Sequence, residues 1–323
     1  MKKILISGGA GYLGTVLTMH LLKKNTVIVY DEFNFNWLVK NRKNIPYHNR
    51  LFFIKKNILN VTNKDFKNVD IVCDLNGIPN DPSSELNKKY TWKINYYGRK
   101  NFALKAKKSG VKRYIFNSTC AVFGHNKNLA FEETKKKPLS TYAKANLEAE
   151  KNIYRIRSKD FKVNILRNST LYGFSPAMRL DLVINSFVYT YFKEKKIFIN
   201  GDGNQWRPFL SINDVCKIYN SIIDGNKPSF VCNLVSFNSK IISLANLICK
   251  KFKSPNKIIE FNKTNFDKRN YRVGSSNFKK YFKKIKFTSL NKDLLNLKNS
   301  YKKFKIKKNI TTIRMLYYKK KLS

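Results

Sequence analysis

Three glycines near the start of the chain have the spacing of a loop that binds phosphate groups. The segment ISGGAGYLG (6–14) carries Gly8, Gly11 and Gly14 between a short apolar run and a helical pattern. Glycine permits a tight backbone turn, and its missing side chain lets a pyrophosphate approach the N-terminus of the following helix. A plain glycine-rich turn is the alternative, but the strand-to-helix context favours a dinucleotide site.

A carboxylate at the end of the next predicted strand indicates which dinucleotide binds. Asp31 closes the apolar run 26–31, about 20 residues further on, where an acidic side chain can accept hydrogen bonds from the adenosine ribose. The same carboxylate would repel a 2′-phosphate, so NAD is favoured over NADP. Lys40, Arg42 and Lys43 lie nearby in the sequence and leave NADP open as an alternative.

The first half of the chain alternates short apolar runs with longer helical patterns. The predicted strands are 3–7, 26–31, 51–56, 69–75, 112–118 and 162–168. The predicted helices are 11–24, 85–109 and 140–157. This alternation predicts a parallel sheet covered on both faces, and right-handed crossovers make it a doubly wound, Rossmann-like α/β fold.

After about residue 170 the pattern loosens and predicts a smaller α/β lobe. Its predicted elements are helix 180–195, strand 196–199, helix 211–224, strand 230–235, helix 241–252 and strand 257–261. We expect a dinucleotide-binding domain over 1–170, an interleaved substrate-binding lobe over 171–300 and a basic C-terminal tail over 301–323. The lysine-rich end could instead form a frayed amphipathic helix.

The composition describes a folded chain with an unusual charge. With 323 residues and 42% hydrophobic residues the chain can bury a substantial core. Its net charge of +45 would suit nucleic acid or an anionic membrane surface as a partner. The lysines are spread along the whole chain, so we favour compositional drift as the explanation.

The cysteines and histidines do not predict a metal site. Five cysteines (Cys73, Cys120, Cys216, Cys232 and Cys249) are scattered without a C-x-x-C pair, which is typical of reduced thiols in the cytosol. The three histidines do not lie at ligand spacing. We find no export signal and no apolar run of membrane-spanning length, so we expect a cytoplasmic protein.

Further motifs follow in a fixed order along the chain. They are DLNG (74–77), IPNDP (78–82), INYYG (94–98), VKRYIFNSTCAVFG (111–124), the helix of Tyr142, LRNSTLYG (166–173), SPAMRLDLVIN (175–185), GDGNQWRPF (201–209) and DKRNYRV (267–273). Together with the glycine loop and Asp31, this series resembles the extended short-chain dehydrogenase/reductase family. Within that family it is most similar to the NAD-dependent nucleotide-sugar epimerases and dehydratases.

The resemblance implies NAD as the cofactor and a set of residues that hold it. These would be Gly8, Gly11, Tyr12, Leu13 and Gly14 at the pyrophosphate, Asp31 at the adenine ribose, Asn57 and Ile58 beside the adenine, and Leu75, Asn76, Asn95, Tyr142 and Asn146 along the cleft. The family more often has Asp at position 57 and a small residue at position 76.

The resemblance also implies that Tyr142 is the catalytic base and that Thr119 holds the reacting sugar hydroxyl. Four residues after its tyrosine the family carries a lysine, which binds the nicotinamide ribose and lowers the tyrosine pKa. Here Asn146 stands in that place and supplies no charge, although an unperturbed tyrosine titrates near pH ~10. Lys144 cannot substitute, because it lies about 200° around the helix. Three alternatives stay open. The enzyme turns over more slowly with a higher pH optimum, another lysine occupies the space of the missing one, or the site is retained for binding alone.

Substrate-binding residues follow from the same resemblance. They would be Ser118, Thr119, Arg179, Asn185, Arg207 and Arg272, with Asn185, Arg207 and Arg272 on the diphosphate of a sugar nucleotide and Arg179 as an additional ligand. Guanidinium groups are permanently charged and suit phosphate oxygens. Cys120 and Ala121 stand where the family's 4,6-dehydratases carry an Asp-Glu pair, which disfavours a dehydratase.

We therefore expect an NAD-dependent epimerase that acts on a nucleoside-diphosphate sugar through a transient keto-sugar. A reductase or dehydrogenase of the same substrate class is the first alternative. A catalytically degenerate dehydrogenase-fold protein that binds RNA is the second. The resemblance implies a homodimer packed through the helices around 85–109 and 140–157.

Overall fold

The computed structural model describes residues 1–253, 259–262 and 269–322. Its strands in chain order are β1 (Lys3–Ser7), β2 (Thr26–Asp31), β3 (Leu51–Lys55), β4 (Ile71–Asp74), β5 (Arg113–Thr119), β6 (His125–Ala130), β7 (Lys162–Asn168), β8 (Thr170–Tyr172), β9 (Ile197–Asn200), β10 (Trp206–Ser211), β11 (Phe230–Leu234), β12 (Phe237–Lys240), β13 (Ile259–Asn262) and β14 (Asn270–Val273). Its α-helices are α1 (Tyr12–Leu22), α2 (Trp37–Lys40), α3 (Asp81–Leu86), α4 (Lys88–Trp92), α5 (Arg99–Lys108), α6 (Thr141–Arg155), α7 (Val183–Lys193), α8 (Ile212–Asp224), α9 (Ile241–Lys251), α10 (Ser276–Tyr281), α11 (Leu290–Lys303) and α12 (Arg314–Leu322).

A seven-stranded parallel sheet forms the centre of the fold, in the order β11–β7–β5–β4–β1–β2–β3. The chain adds β2 and β3 on one side of β1 and then places β4 on the other side. The strand order therefore reverses between β1 and β4. At such a switch point the loops after the two strands diverge and leave a crevice at the carboxyl edge of the sheet.

Helices cover both faces of this sheet. In β1, Ile4 and Ile6 join one apolar cluster with residues of α1, α7 and α8, whereas Leu5 joins a second cluster with residues of α5 and α6. A pleated strand buried on both sides produces this alternation. The first cluster also contains Leu244 of α9 and Leu294 of α11, so the two halves of the chain share one core.

The first-half strands of the large sheet agree closely with the predicted ones, but β6 was not predicted and the predicted helix 85–109 is broken. Asn87 ends α3 and caps α4 by accepting a hydrogen bond from the backbone N–H of Tyr90. A π-helical turn (Lys93–Gly98) then leads into α5. An asparagine side chain competes with the backbone for hydrogen bonds, so the prediction of one continuous helix is wrong. The π-helical turn ends at Gly98, so Arg99 is the first residue of α5.

The second half contributes smaller sheets and one strand of the large sheet. The small sheets have the orders β12–β10–β8, β13–β9 and β14–β6. β11 pairs with β7 at the edge of the large sheet, so the second half is interleaved with the first. The predicted strand 257–261 corresponds to β13 where it is described, and residues 257 and 258 lie outside the described residues. The domain boundaries near residues 170 and 300 stay a prediction.

The lysine-rich end of the chain contains two packed helices. Leu294, Leu297 and Tyr301 of α11 are buried, and α12 contacts α3 beside the carboxyl edge of the sheet. Arg314–Leu322 therefore forms a helix and not an extended tail. Across the described ranges, no helix is both long enough and apolar enough to cross a membrane.

Candidate functional site

A cleft of about 1340 Å³ lies at the carboxyl edge of the large sheet, where the strand order reverses. Its walls are the loops after β1, β2 and β4, the end of β5, the start of α6, and parts of the second half of the chain. Sites for one small molecule typically enclose about 300–1,000 Å³. The cleft therefore has room for two ligands.

The glycine loop forms one wall of the cleft. The predicted loop residues Gly8, Gly11, Tyr12, Leu13 and Gly14 all line it. Gly8 has a φ of +70°, and a Cβ there would lie 2.9 Å from the backbone of Asn76. A Cβ at Gly14 would collide with the carbonyl oxygen of Gly8. The loop thus closes only with glycine at both positions, and it presents the positive N-terminal end of α1 to the cleft. These features fit a dinucleotide.

Asp31 ends β2 at the edge of the cleft, as predicted. Its carboxylate accepts hydrogen bonds from the backbone N–H groups of Ala10 (3.0 Å) and Phe33 (2.8 Å). Burial raises the pKa of Asp31 to about 6, against the lowering effect of these hydrogen bonds. This carboxyl group therefore changes its charge in mildly acidic solution.

Asn57 and Ile58 are not among the described residues that line the cleft. The Asn57 side chain accepts a hydrogen bond from the N–H of Leu59 (2.9 Å) and donates one to Glu32 (2.8 Å). Ile58 is 2% exposed and packs in the apolar core. Glu32, rather than Asn57, lines the cleft here, and a contact of Asn57 and Ile58 with an adenine stays a prediction.

Leu75, Asn76 and Asn95 line the cleft, as predicted. Asn95 is fully buried. Its amide accepts a hydrogen bond from the N–H of Ile78 (2.8 Å) and donates one to the carbonyl oxygen of the same residue (3.1 Å). Asn95 therefore fixes the loop after β4 and shapes this wall.

The structure brings together the predicted catalytic pair. Tyr142 enters the cleft from the first turn of α6, which Ser140 caps, and faces the end of β5, which carries Ser118 and Thr119. The Thr119 side chain lies close enough to the Tyr142 hydroxyl to lower its pKa by hydrogen bonding. Ser118 also lines the cleft, but its hydroxyl donates to the buried Glu150 (2.9 Å).

The surroundings of Tyr142 keep its hydroxyl protonated. Burial raises the pKa of Tyr142 above its usual value, and the Asp81 carboxylate raises it further. The hydrogen bond with Thr119 and the charges of Arg99 and Arg179 act in the opposite direction, without reversing the shift. A base at this position therefore needs more positive charge or alkaline solution.

A buried guanidinium lies beside the position at which the family lysine is expected. Asn146 is 2% exposed. Its nitrogen donates to the carbonyl oxygen of Tyr142 (2.8 Å), and its oxygen accepts from Nη1 of Arg99 (2.8 Å). Arg99 also forms an ion pair with Asp74 (2.9 Å). Among the residues that the structure describes, no lysine lines the cleft, so the cation next to position 146 is an arginine.

Arg207 and Arg179, two predicted substrate ligands, line the cleft from the second half of the chain. Arg207 is 5% exposed, and its Nη1 donates to the carbonyl oxygens of Trp206 (2.7 Å) and Arg269 (2.6 Å). Arg179 forms an ion pair with Asp181 (2.8 Å). Burial lowers the pKa of Arg179, but the charge of Asp181 outweighs it and the pKa is raised. This part of the cleft can therefore bind an anionic ligand.

Asn185 is buried and does not line the cleft in the described structure. Its oxygen accepts from the N–H of Gly173 (2.9 Å), and its nitrogen donates to the Tyr12 hydroxyl (3.0 Å) and to the carbonyl oxygen of Arg179 (3.0 Å). The Tyr12 hydroxyl in turn donates to the carbonyl oxygen of Gly173 (2.7 Å). Asn185 therefore connects the glycine loop to the second half of the chain, and its role as a substrate ligand stays a prediction.

Arg272 also lies outside the described lining of the cleft. Its guanidinium lies 5.4 Å from the centre of the Trp206 ring, and its Nη2 donates to the carbonyl oxygen of Lys127 (3.3 Å). Its proposed contact with a diphosphate stays a prediction. Asp267 and Lys268 of the same DKRNYRV motif lie outside the described residues.

Three arginines of the cleft were missed by the sequence analysis: Arg99, Arg269 and Arg314. Arg99 directly follows the INYYG motif, and Arg269 belongs to the DKRNYRV motif, where it forms an ion pair with Asp81. Both are charged residues within or directly after a motif that was expected to line the cleft, and this could have identified them. Arg314 offered no such signal, because its position depends on how α12 packs.

Comparisons with known proteins show which family this chain resembles. A family model described as the NAD dependent epimerase/dehydratase family matches residues 4–231. The uncharacterized UDP-glucose epimerase YtcB of Bacillus subtilis (strain 168) is 30% identical over 259 residues, covering 75% of this chain and 80% of that protein. The dTDP-D-glucose 4,6-dehydratase of Homo sapiens is 26% identical over 266 residues, covering 79% and 75%.

Solved structures show the same fold. The UDP-glucuronic acid 4-epimerase from Bacillus cereus, in complex with UDP-glucuronic acid and NAD, has a TM-score of 0.82 and 24% identity over 94% of this chain and 99% of that chain. The UDP-N-acetylglucosamine 4-epimerase from Methanobrevibacter ruminantium M1 has a TM-score of 0.83 and 21% identity over 94% and 99%. The predicted doubly wound, Rossmann-like fold is confirmed.

Proposed function

Because the chain belongs to the NAD-dependent epimerase/dehydratase family, we propose that it is an NAD-dependent epimerase of a nucleoside-diphosphate sugar. The observation that carries this proposal is the combination of three features in one cleft. A glycine loop at a helix N-terminus suits a dinucleotide, a tyrosine beside a threonine suits proton transfer, and buried arginines suit a diphosphate.

The residues around the glycine loop fit NAD. Gly8, Gly11 and Gly14 leave space for the pyrophosphate at the start of α1. Asp31 would accept hydrogen bonds from the adenine ribose and repel a 2′-phosphate. NAD, when bound, supplies the reversible hydride acceptance that such an epimerisation requires.

Tyr142 and Thr119 would manage the proton of the reacting hydroxyl. Thr119 would hold the sugar hydroxyl, and Tyr142 would remove its proton as the carbon is oxidised. The substrate then passes through a transient keto-sugar. The keto group is then reduced from its other face, or at a neighbouring carbon after enolisation, and Tyr142 returns the proton to the new hydroxyl.

An epimerase is favoured over a 4,6-dehydratase by the residues that follow Thr119. Dehydration needs further acid and base groups at the sugar, because a carbon-bound proton and a hydroxyl group both leave. Cys120 is fully buried and donates to the carbonyl oxygen of Arg167 (3.1 Å), and burial raises its pKa. Ala121 has no titratable group. Neither residue can replace a carboxyl pair.

The diphosphate of the substrate would bind near Arg179 and Arg207. Both are buried, charged and part of the cleft wall. The two relatives named above act, by name, on a UDP-sugar and a dTDP-sugar. Both of these carry a pyrimidine nucleoside diphosphate, so we expect UDP- or dTDP-sugars to be the first class to test.

Incubation of the purified protein with NAD and a panel of UDP-, dTDP- and GDP-sugars tests the proposal. We expect one sugar to be inverted at one carbon, as followed by NMR, without net accumulation of NADH. Stoichiometric consumption or formation of NADH would instead identify a reductase or dehydrogenase. If no sugar nucleotide on the panel binds or is converted, the proposal is wrong.

The variant Tyr142→Phe identifies the base in the same assay. We expect kcat to fall by about 10²- to 10⁴-fold, because proton transfer by a positioned side chain contributes that much. The dissociation constant of the sugar nucleotide should change little. Tyr154→Phe is the matched control, because Tyr154 lies on the same helix outside the described cleft lining. An equal loss of activity in both variants would contradict a specific role for Tyr142.

A further inference from the structure

The guanidinium of Arg99 is held in one orientation at the carboxyl edge of the sheet. Nε donates to the Asp74 carboxylate (2.9 Å), and Nη2 donates to the carbonyl oxygens of Asp74 and Asn117 (3.0 Å each). The Phe116 ring centre lies 3.8 Å from Cζ. Arg99 is 2% exposed. A planar side chain with these contacts cannot turn away from the cleft without losing several hydrogen bonds.

Asp74 is anchored just as firmly. It is fully buried and also accepts hydrogen bonds from the hydroxyls of Ser7 (2.7 Å) and Tyr114 (2.8 Å) and from the N–H of Asn76 (3.2 Å). A buried ion pair contributes little to stability over an apolar pair of the same volume. Arg99 lines the cleft and is held there by the buried Asp74, so the presence of this pair indicates a role in the site.

The remaining face of Arg99 is turned to the helix of Tyr142. Nη1 donates to the side-chain oxygen of Asn146 (2.8 Å), whose nitrogen donates to the carbonyl oxygen of Tyr142 (2.8 Å). Arg99, Asn146 and Tyr142 all line the cleft. A continuous chain of hydrogen bonds thus runs from the sheet to the turn that carries the tyrosine.

We propose that Arg99 replaces the lysine expected at position 146: it supplies the positive charge near Tyr142 and, through Asn146, fixes the first turn of α6. Arg99 is a positioning residue, because it reaches Tyr142 through Asn146. The inference rests on the proposed function, since this charge matters where Tyr142 exchanges a proton.

The geometry makes Arg99 and Asn146 a matched pair. A lysine at position 146 would bring an ammonium group close to the Arg99 guanidinium, which already pairs with the Asp74 carboxylate. Two buried cations with one anion destabilise each other. The site therefore accommodates a cation at residue 99 or at residue 146, but not at both.

The charge of Arg99 lowers the pKa of Tyr142, although burial and Asp81 outweigh it. Part of the Arg99 charge is neutralised by Asp74. We therefore expect the native pair to activate Tyr142 less than an unpaired cation would, and turnover to increase towards alkaline pH.

A double-mutant cycle tests the inference with Arg99→Met, Asn146→Lys and the variant that carries both changes. The readouts are the pH midpoint of Tyr142 and the dissociation constant of NAD. The midpoint is followed by NMR of ¹³Cζ-labelled tyrosine, with the Tyr142 signal assigned by its loss in Tyr142→Phe. We expect Arg99→Met to raise the midpoint by roughly one pH unit or more.

Asn146→Lys alone should weaken NAD binding by roughly 10-fold or more, because it places two buried cations together. The double variant should recover both NAD binding and a midpoint close to that of the native protein. The inference is overturned if Arg99→Met leaves the midpoint unchanged, or if Asn146→Lys is tolerated equally well with and without Arg99.

Two further variants control for folding, because Arg99→Met leaves the buried Asp74 without its cation. Arg99→Met combined with Asp74→Asn removes both charges, and Arg99→Lys keeps the positive charge. We expect the neutral pair to raise the midpoint of Tyr142, and Arg99→Lys to leave it near the native value. Equal midpoints in the neutral pair and the native protein would contradict the role of the charge.

These readouts separate the inference from the proposed function, because none of them needs a sugar. If no sugar nucleotide is converted but the midpoint follows the cycle, the proposed function fails and the role of Arg99 is supported. If a sugar is converted but neither the midpoint nor the pH profile of kcat moves in Arg99→Met, the role of Arg99 alone is wrong.

Discussion

We expect Asp31 to make cofactor binding sensitive to mild acid. Burial raises the pKa of Asp31 to about 6, so its carboxylate is neutralised just below the pH at which most enzymes are assayed. An ionised carboxylate is the stronger acceptor for ribose hydroxyls. We expect the affinity for NAD to fall by up to roughly 10-fold for each pH unit below this pKa, as measured by calorimetric titration.

Two variants show whether Asp31 causes this dependence. Asp31→Asn should bind NAD more weakly at neutral pH and lose the dependence, whereas Asp160→Asn, at an exposed site between α6 and β7, should behave like the native protein. A dependence that persists unchanged in Asp31→Asn would contradict the assignment.

The same carboxyl group has the opposite effect on the stability of the ligand-free protein. Its pKa is raised in the folded state, so the folded protein binds the proton more tightly than the unfolded chain does. The resulting stabilisation is complete below the unfolded value near pH ~4 and is lost as the pH rises through about 6. Protonation of Asp31 in mild acid should therefore weaken NAD binding and stabilise the folded, ligand-free protein.

The residues that were predictable from sequence are those with a local conformational or positional requirement. The glycines of the loop are needed by the backbone itself, and Tyr142 begins a helix at a fixed distance from the other motifs. Arg99 was missed, and the contacts of Asn185 with the glycine loop were not foreseen, because these contacts join segments far apart in sequence. Arg99 meets Asn146 across 47 residues, and Asn185 meets Tyr12 across 173. No local sequence pattern predicts contacts between residues so far apart in the chain.

Helices and strands were also predictable only where their own sequence pattern determines them. The strands of the large sheet were predictable because residues buried on both faces form continuous apolar runs. The break at Asn87 was not predictable, because a single asparagine cap interrupts a long helical sequence pattern. The position of α12 was also beyond prediction, since it is set by contacts with the loop after β2 and with α3.

The helix α12 covers part of the cleft. The Arg314 guanidinium lies 3.6 Å from the centre of the Phe35 ring and donates to the carbonyl oxygen of Ala177 (3.1 Å). Near the other end of the helix, Lys321 forms an ion pair with Glu32 (2.8 Å). Glu32, Phe35 and Arg314 all line the cleft. The end of the chain thus holds the loop that follows Asp31.

Arg314→Met is expected to loosen this cover. A desolvated cation over an aromatic ring contributes about 1–2 kcal/mol, which corresponds to roughly 5- to 30-fold in an equilibrium or rate. We expect NAD to dissociate faster by about that factor, as measured by stopped-flow fluorescence. Lys319→Ala, at an exposed position of the same helix, is the control and should leave the rate unchanged. An unchanged rate in Arg314→Met would show that α12 does not retain the cofactor.

Across the whole molecule, arginine and lysine are distributed differently. Five of the twelve arginines line the cleft, and among the described residues no lysine does. Arginine suits phosphate groups, and lysine on the outer surface is what compositional drift produces. Five carboxylates also line the cleft, namely Asp31, Glu32, Asp81, Glu85 and Asp181, so its arginines serve as individual phosphate ligands and not as a broad positive surface. This distribution favours a nucleotide-sized ligand over RNA.

We take the exposed apolar strip formed by Tyr97 of the π-helical turn and Leu104 of α5 as the candidate subunit contact. Tyr97 is 60% exposed and Leu104 is 37% exposed, and Lys93 and Lys108 are exposed beside them. The expected homodimer would pack through this strip and α6. Each copy carries a net charge of +45, so repulsion between the subunits opposes their association.

Salt should therefore strengthen the dimer. The screening length falls from about 10 Å at 0.1 M ionic strength to about 3 Å at 1 M, which removes most of the repulsion while the apolar contact persists. We expect the dimer dissociation constant, measured by analytical ultracentrifugation, to fall by roughly 10-fold or more over this range. Tyr97→Arg combined with Leu104→Arg should give a monomer at every salt concentration. Leu295→Arg changes an exposed leucine of α11 and should leave the dimer intact. A monomer at high salt in the native protein, or equal effects of the two arginine variants, would place the subunit contact elsewhere or exclude it.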